Sequence, residues 1–280
     1  MSERISIGPG QFIFVTVVTA WESAGERDLK GPPRTITCMR EAHHQDIVQQ
    51  HWSILCDFDG TIALDDVVDE LLVRFGLAGW RELEERWRAG HIGSRECMSA
   101  QVELLDVRQD EFDAYLDLVV IDAAFPAFVA RAREFGMSIR VVSDGLDYAI
   151  QRILSRHGLG ELPIVANQLL SAGTPGRWRL KSPFAVASCR SGTCKCRQVS
   201  ATQDGRRQLS LLVSDGASDF CVAGKADLVF AKGRLIEYCR LERISHRPIA
   251  GFADALELLP ILTDSGRANP RPRPAIQSLY

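Results

Sequence analysis

Residues 56–61 read Cys-Asp-Phe-Asp-Gly-Thr, directly after the apolar pair Ile54 and Leu55. In a strand over residues 54–58, alternate side chains share a side, so Asp57 and Asp59 point the same way. Gly60 then permits a tight exit from the strand. Two carboxylates so placed repel each other and have no obvious structural partner. They suit a hard cation, a carboxylate nucleophile, or both. Two plainer readings compete. Asp-Gly is a common turn dipeptide, and Asp-x-Asp-Gly also opens calcium loops. A calcium loop needs a glutamate at its twelfth position, which counted from Asp57 is Val68, so that reading fails. The plain turn stays open on these six residues alone.

The elements that must hold such a site alternate along the chain. Residues 53–58, 138–142, 209–213 and 227–231 are apolar runs of strand type, with shorter strands expected over 163–166 and 177–181. Helical spacing is seen over 65–75, 80–89, 94–105, 109–119, 125–135, 146–157, 220–224 and 252–262, with Ser94 as a candidate N-cap. Strands separated by helices imply an α/β fold with a parallel sheet and right-handed crossovers. The helices over 65–124 exceed a normal crossover and read as an inserted helical cap. The expected division is an N-terminal extension over 1–50, a core of 51–64 and 125–264, the cap over 65–124, and a mobile tail over 265–280. Residues 1–50 show no clear pattern apart from the apolar stretch 12–20, a poor match to a signal peptide. Met39 shortly precedes the core, so residues 1–38 read as an extension or a misplaced translation start.

In an open parallel sheet, ligands sit beyond the carboxyl ends of the strands. Three core strands end in polar, glycine-punctuated turns: Asp57 to Thr61, then Ser143-Asp144-Gly145, then Ser214 to Asp219. Repetition at one sheet edge argues for a site. Lys195, on the segment leading into the third of these strands, supplies a cation that can offset the clustered carboxylates.

With these residues in this order, the chain resembles the haloacid dehalogenase-like phosphatase superfamily, a Rossmann-like core with an inserted cap. The likeness runs from about residue 53 to 262 and covers four motifs: Asp57 to Thr61, Ser143, Lys195, and Asp215 with Asp219. It looks most like the small-helical-cap branch of phosphoserine, phosphocholine/phosphoethanolamine and methionine-salvage phosphatases. Within that branch Gly192-x-Cys194-Lys195, the run 226–232, and Glu237-Tyr238-Cys239 favour the last. The resemblance implies Asp57 as nucleophile, Asp59 as general acid and then base, and Ser143 and Lys195 as partners of the transferring phosphoryl group. It implies Mg²⁺ held by the Asp57 carboxylate, the Asp59 carbonyl and Asp215, with Asp219 in support. The turn residues Gly60, Thr61, Asp144 and Gly145 shape the site, and backbone amides over 59–61 could cradle phosphate. Asp66 matches a substrate-contacting acid of the phosphoserine phosphatases; a first-turn helix acid is the competing reading. Ser214 departs from the glycine common at that position, which could crowd the backbone near the metal.

The implied activity is Mg²⁺-dependent phosphomonoester hydrolysis. The favoured substrate is a diketo- or enol-methylthiopentenyl 1-phosphate, with phosphoserine or phosphocholine/phosphoethanolamine next. A phosphotransferase or a non-catalytic binding protein on the same fold is the alternative from another class. A net charge of −3 and a pI near 6.1 give no reason to expect nucleic acid or an anionic membrane as partner. The expected partner is a small phosphorylated metabolite, and nothing in the chain indicates an oligomeric state. Eight scattered cysteines suit a reduced, cytoplasmic protein. Cys189, Cys194 and Cys196 lack zinc spacing and a fourth ligand and read as incidental thiols. Cys56 should face the core. Trp80 and Trp87 should pack within the cap, with one of them free to line the entrance. His43, His44 and His51 read as surface residues.

Overall fold

The computed structural model describes residues 2–8, 11–16, 51–199 and 208–264. Residues 1–48 form a unit of their own. Within it β1 (Ser2–Gly8) pairs antiparallel with β2 (Gln11–Thr16), a hairpin that the sequence pattern did not announce. The readings of residues 17–50 and 265–280 lie outside the described residues.

In the second unit the first strand is β3 (Trp52–Cys56). Four helices follow: α1 (Val67–Phe75), α2 (Trp80–Arg88), α3 (Ser94–Glu103) and α4 (Gln109–Leu116). The chain continues through α5 (Phe125–Glu134), β4 (Ser138–Leu146), α6 (Asp147–Arg156), β5 (Ile164–Ser171) and β6 (Trp178–Lys181). It closes with α7 (Lys195–Val199), β7 (Leu209–Ser214), α8 (Phe220–Ala223), β8 (Leu228–Ala231), α9 (Gly233–Leu241), β9 (His246–Pro248), α10 (Phe252–Leu258) and α11 (Pro260–Asp264). The sheet order is β6-β5-β4-β3-β7-β8-β9, parallel except for the antiparallel β5–β6 pair. This is the expected Rossmann-like sheet.

Alternation along each strand sorts its side chains into two layers. Ile54 and Cys56 of β3, Val141 of β4, Leu211 and Val213 of β7 and Phe230 of β8 enter the larger core. Leu55, Val142, Leu212 and Val229 enter the smaller one on the opposite face. Strands covered on both faces read as continuous apolar runs, which is why these four were recognisable. Cys56 faces the core as expected.

Some boundaries differ from the sequence reading. The strand expected over 54–58 stops at Cys56, so both aspartates belong to the exit loop. β4 continues through Ser143–Gly145 to Leu146, with a register irregularity after Val142. The helix expected over 252–262 breaks after Leu258, where Pro260 opens a new helix; proline cannot donate within a helix interior but fits the first position.

Candidate active site

The register sets the ends of β3 and β7 beside the middle of β4. Cys56 pairs with Val141 of β4 on one side and Val213 of β7 on the other. The loop after β3 therefore lies beside Ser143 and Ser214, at the point where successive strands leave in opposite directions across the sheet. Asp57 is held there by its own amide, which donates to the Val213 carbonyl at 2.9 Å. A cavity of about 220 Å³ opens at this edge, with Asp57, Asp59, Ser143, Lys195 and Asp215 among its lining.

Lys195 is 5% exposed, and its ammonium lies 2.8 Å from Asp57 Oδ1 and 2.8 Å from Asp219 Oδ2. Burial alone would lower the lysine pKa, but Asp219 and Asp57 outweigh it and hold the group above its ordinary range. Burial, then the charge of Asp219, pushes Asp57 well above the usual carboxylate range despite Lys195. Asp219 is lowered, because Lys195 and a set of hydrogen bonds overcome its burial. Ser214 Oγ donates to Asp219 Oδ2 at 2.7 Å and Ser218 Oγ at 3.1 Å. The serine that departs from the family pattern is thus fully buried and spent on Asp219. Asp219 itself works on Lys195, and its Oδ1 is a buried oxygen without a hydrogen-bond partner.

Asp59 stands apart from that triad. Its Oδ1 accepts the Val67 amide at 3.0 Å, at the start of α1, and its Oδ2 receives Ser143 Oγ at 3.4 Å. Ser143 Oγ in turn accepts the Gly145 amide at 2.9 Å. Desolvation, then the charge of Asp66, pushes Asp59 up to about 7. The close approach depends on Gly145, where a Cβ would fall 2.6 Å from Asp59 Oδ2. Gly60 does the same for Asp215. Its φ is +69°, and a Cβ there would lie 2.6 Å from Asp215 Oδ2. Asp215 Oδ1 accepts the Thr61 hydroxyl at 2.7 Å. The amides of Gly60 and Thr61 are used within the turn, so the backbone cradle expected over 59–61 is reduced to Asp59 at most.

Asp66 is the N-cap of α1, accepting the amides of Val68 and Asp69 as a helix-start acid would, and it also lines the cavity. Trp80 packs in the core, whereas Trp87 lines the cavity. Ser94 is not the N-cap of α3; Gly93 is, and the Ser94 hydroxyl donates to Asp144 Oδ2 at 2.6 Å instead. Sequence reasoning did not single out Thr193 and Asn167, which hydrogen-bond Asp144, or Arg234, which lines the cavity, because nothing local ties them to the strand ends. Cys196 Sγ lies 3.5 Å from Cys221 Sγ rather than joining Cys189 and Cys194. Among the described residues no three histidine, cysteine or acidic side chains converge to hold a metal. The set implied for Mg²⁺ needs only two carboxylates and one carbonyl, with water completing the shell, and these hard oxygen donors suit it.

A parallel sheet carrying a buried lysine between strand-end carboxylates, with a helical insertion after the first strand, defines a class of hydrolase. The haloacid dehalogenase-like hydrolase profile matches residues 54–224, and the chain belongs to that family. It is 31% identical over 209 residues to a 2-hydroxy-3-keto-5-methylthiopentenyl-1-phosphate phosphatase of Exiguobacterium sp. strain AT1b, covering 72% of this chain and 94% of the relative. A Lysinibacillus sphaericus protein of the same name is 27% identical, covering 78% and 97%. In fold it is similar to a phosphoserine phosphatase solved as a phospho-aspartyl intermediate analogue, with TM-score 0.56, 21% identity, and coverage of 74% and 98%. No helix among the described residues is long and apolar enough to cross a membrane.

Proposed function

We propose that this protein is a phosphomonoesterase working through an aspartyl-phosphate on Asp57, and that its substrate is 2-hydroxy-3-keto-5-methylthiopentenyl 1-phosphate. The observation that carries the reaction is the split between two aspartates two residues apart. Asp57 is clamped by an ammonium, and Asp59 is drawn away to Ser143 and the start of α1. Asp57 attacks phosphorus, and Lys195 offsets the charge gathered by the nucleophile and the phosphoryl oxygens. Asp59, whose pKa of about 7 leaves it part-protonated near neutrality, gives its proton to the leaving oxygen and then takes one from the attacking water. Ser143 orients Asp59 with its one hydroxyl proton and would redirect it to a phosphoryl oxygen when substrate binds. Mg²⁺ would be held by Asp57, Asp215 and the Asp59 carbonyl, and when bound it supplies charge neutralisation.

The substrate reading is supported by the names of the relatives. Residues 65–124 act in it as a cap on a core formed by 51–64 and 125–264, with the cap wall supplying substrate contacts. A second reading rests on Asp66 and Asp69, which line the cap side and would suit an ammonium, as in phosphoserine or phosphoethanolamine. A phosphate-release panel over these compounds, with Mg²⁺, decides between them. Asp57→Asn tests the reaction. Phosphatase activity should vanish while the fold is kept, and Mg²⁺-dependent turnover by the pure variant would refute the assigned nucleophile.

A further inference from the structure

Asp144 takes no part in the chemistry above, yet its carboxylate joins three separate segments. Oδ2 accepts the hydroxyl of Ser94, the first residue of cap helix α3, at 2.6 Å. Oδ1 accepts the Thr193 amide at 2.8 Å, two residues before Lys195. Asn167 of β5, fully buried, donates its amide to the same oxygen at 3.2 Å and to the Asp144 carbonyl. The partners are neutral donors on the cap wall, the lysine-bearing turn and the sheet. Asp144 also directly follows Ser143. A charged acceptor strengthens each of these bonds relative to a neutral one. Nearby, the Arg95 amide donates to the Arg190 carbonyl at 3.1 Å, so the start of α3 rests on the same loop by a backbone bond that side-chain changes leave in place.

We propose that Asp144 is a positioning residue that couples the seating of the cap helix α3 to the placement of Lys195. The Lys195 ammonium must sit within hydrogen-bond distance of both Asp57 and Asp219, and its turn is carried on a long loop between β6 and α7. Tying that turn to the end of β4 through one carboxylate, and the cap to the other oxygen of the same carboxylate, makes the two positions interdependent. The role rests on the phosphatase reading for its kinetic consequences, but the coupling itself is structural.

The test combines Ser94→Ala, Asp144→Ala and Asp144→Asn with two measurements. The first is hydrogen exchange of residues 192–196 and of α3 without substrate. The second is kcat and KM for phosphate release. Ser94→Ala should raise KM about tenfold, as expected for a hydrogen bond to a charged group, and lower kcat by less than Asp144→Ala does, because the Thr193 bond to Asp144 remains. It should also raise exchange in 192–196, although no hydrogen bond joins Ser94 to that segment. Asp144→Ala should cut kcat by tenfold or more and raise exchange in both regions. Asp144→Asn keeps an acceptor for Thr193 and gains a donor for the Ser94 hydroxyl, so it should recover most of the loss. Unchanged exchange in 192–196 for Ser94→Ala, or an Asp144→Asn no better than alanine, would overturn the proposal. If Asp144→Ala does not fold, the serine and asparagine variants decide it alone. A wild-type protein that releases no phosphate from any compound would instead overturn the phosphatase reading, leaving the exchange result to stand by itself.

Discussion

Asp57, Lys195 and Asp219 place one buried ammonium between two buried carboxyl groups, of which Asp219 is held ionised and Asp57 is pushed toward its protonated form. Each buried ion costs several kcal/mol of desolvation, and removing one partner leaves the others uncompensated. Lys195→Met should therefore lower stability by about 3–5 kcal/mol in urea denaturation. The variant's two carboxylates would hold folded pKa values above their unfolded ones, so the folded state binds protons more readily. Its stability should then fall as pH rises from the acid side, and an equal loss at every pH would refute this account. Asp59 allows a separate test. If its protonated form is the general acid, turnover of an alkyl phosphate should decline as pH rises through about 7. Turnover of p-nitrophenyl phosphate, whose leaving group needs no proton, should decline less. Parallel profiles for the two substrates would remove Asp59 from that role. At this scale the residue types were legible because chemistry demands them, but their partners were not. That Ser214 serves Asp219, and that Thr61 serves Asp215, depends on contacts across 5 and 154 positions that no local pattern encodes.

The elements matter through their ends. β3 and β7 stop side by side while β4 runs on past them to Leu146, and Gly60 and Gly145 let carboxylates approach there. Gly145→Ala places a Cβ 2.6 Å from Asp59 Oδ2 with the backbone otherwise unstrained. Relieving that contact shifts Asp59 by about 1 Å, a misplacement that can cost on the order of 100-fold in kcat. The expected result is that loss with an unchanged circular dichroism spectrum, and near-normal turnover would show that Asp59 has room to move. The central strands were legible as apolar runs because both faces of the sheet are covered. The elements that escaped notice are those with little to bury. α9 buries only Leu235 and Cys239, α7 is one short turn, and β9 is a three-residue edge strand of His-Arg-Pro. Ser94 shows the opposite failure. Its type and place matched a cap signal, but its hydroxyl found a better acceptor 50 residues away.

Taken as a whole, the second unit is one sheet between two apolar layers, with the cavity at the edge where the layers part. The larger layer is closed by the C-terminal helices. Phe252 of α10 packs edge-on against Phe125 and Phe128 of α5, with ring centroids 4.7 and 5.1 Å away. Trp52 at the head of β3 donates its indole N–H to the Leu262 carbonyl at 3.0 Å, fastening α11 to the central strand. None of these rings lines the cavity. Stability and catalysis should therefore separate at this position. Phe252→Ala removes a ring that is 1% exposed, and its truncation should cost about 3–5 kcal/mol from lost burial and the cavity left behind. For a unit of this size that lowers the melting temperature by roughly 10 °C. KM for phosphate release, measured well below the transition, should stay at the wild-type value, because the strand ends are fixed by the sheet register rather than by this cluster. A melting temperature that barely moves would mean the C-terminal helices are not part of the cooperative core. A raised KM at low temperature would mean that their packing reaches the strand ends and sets the site's geometry as well.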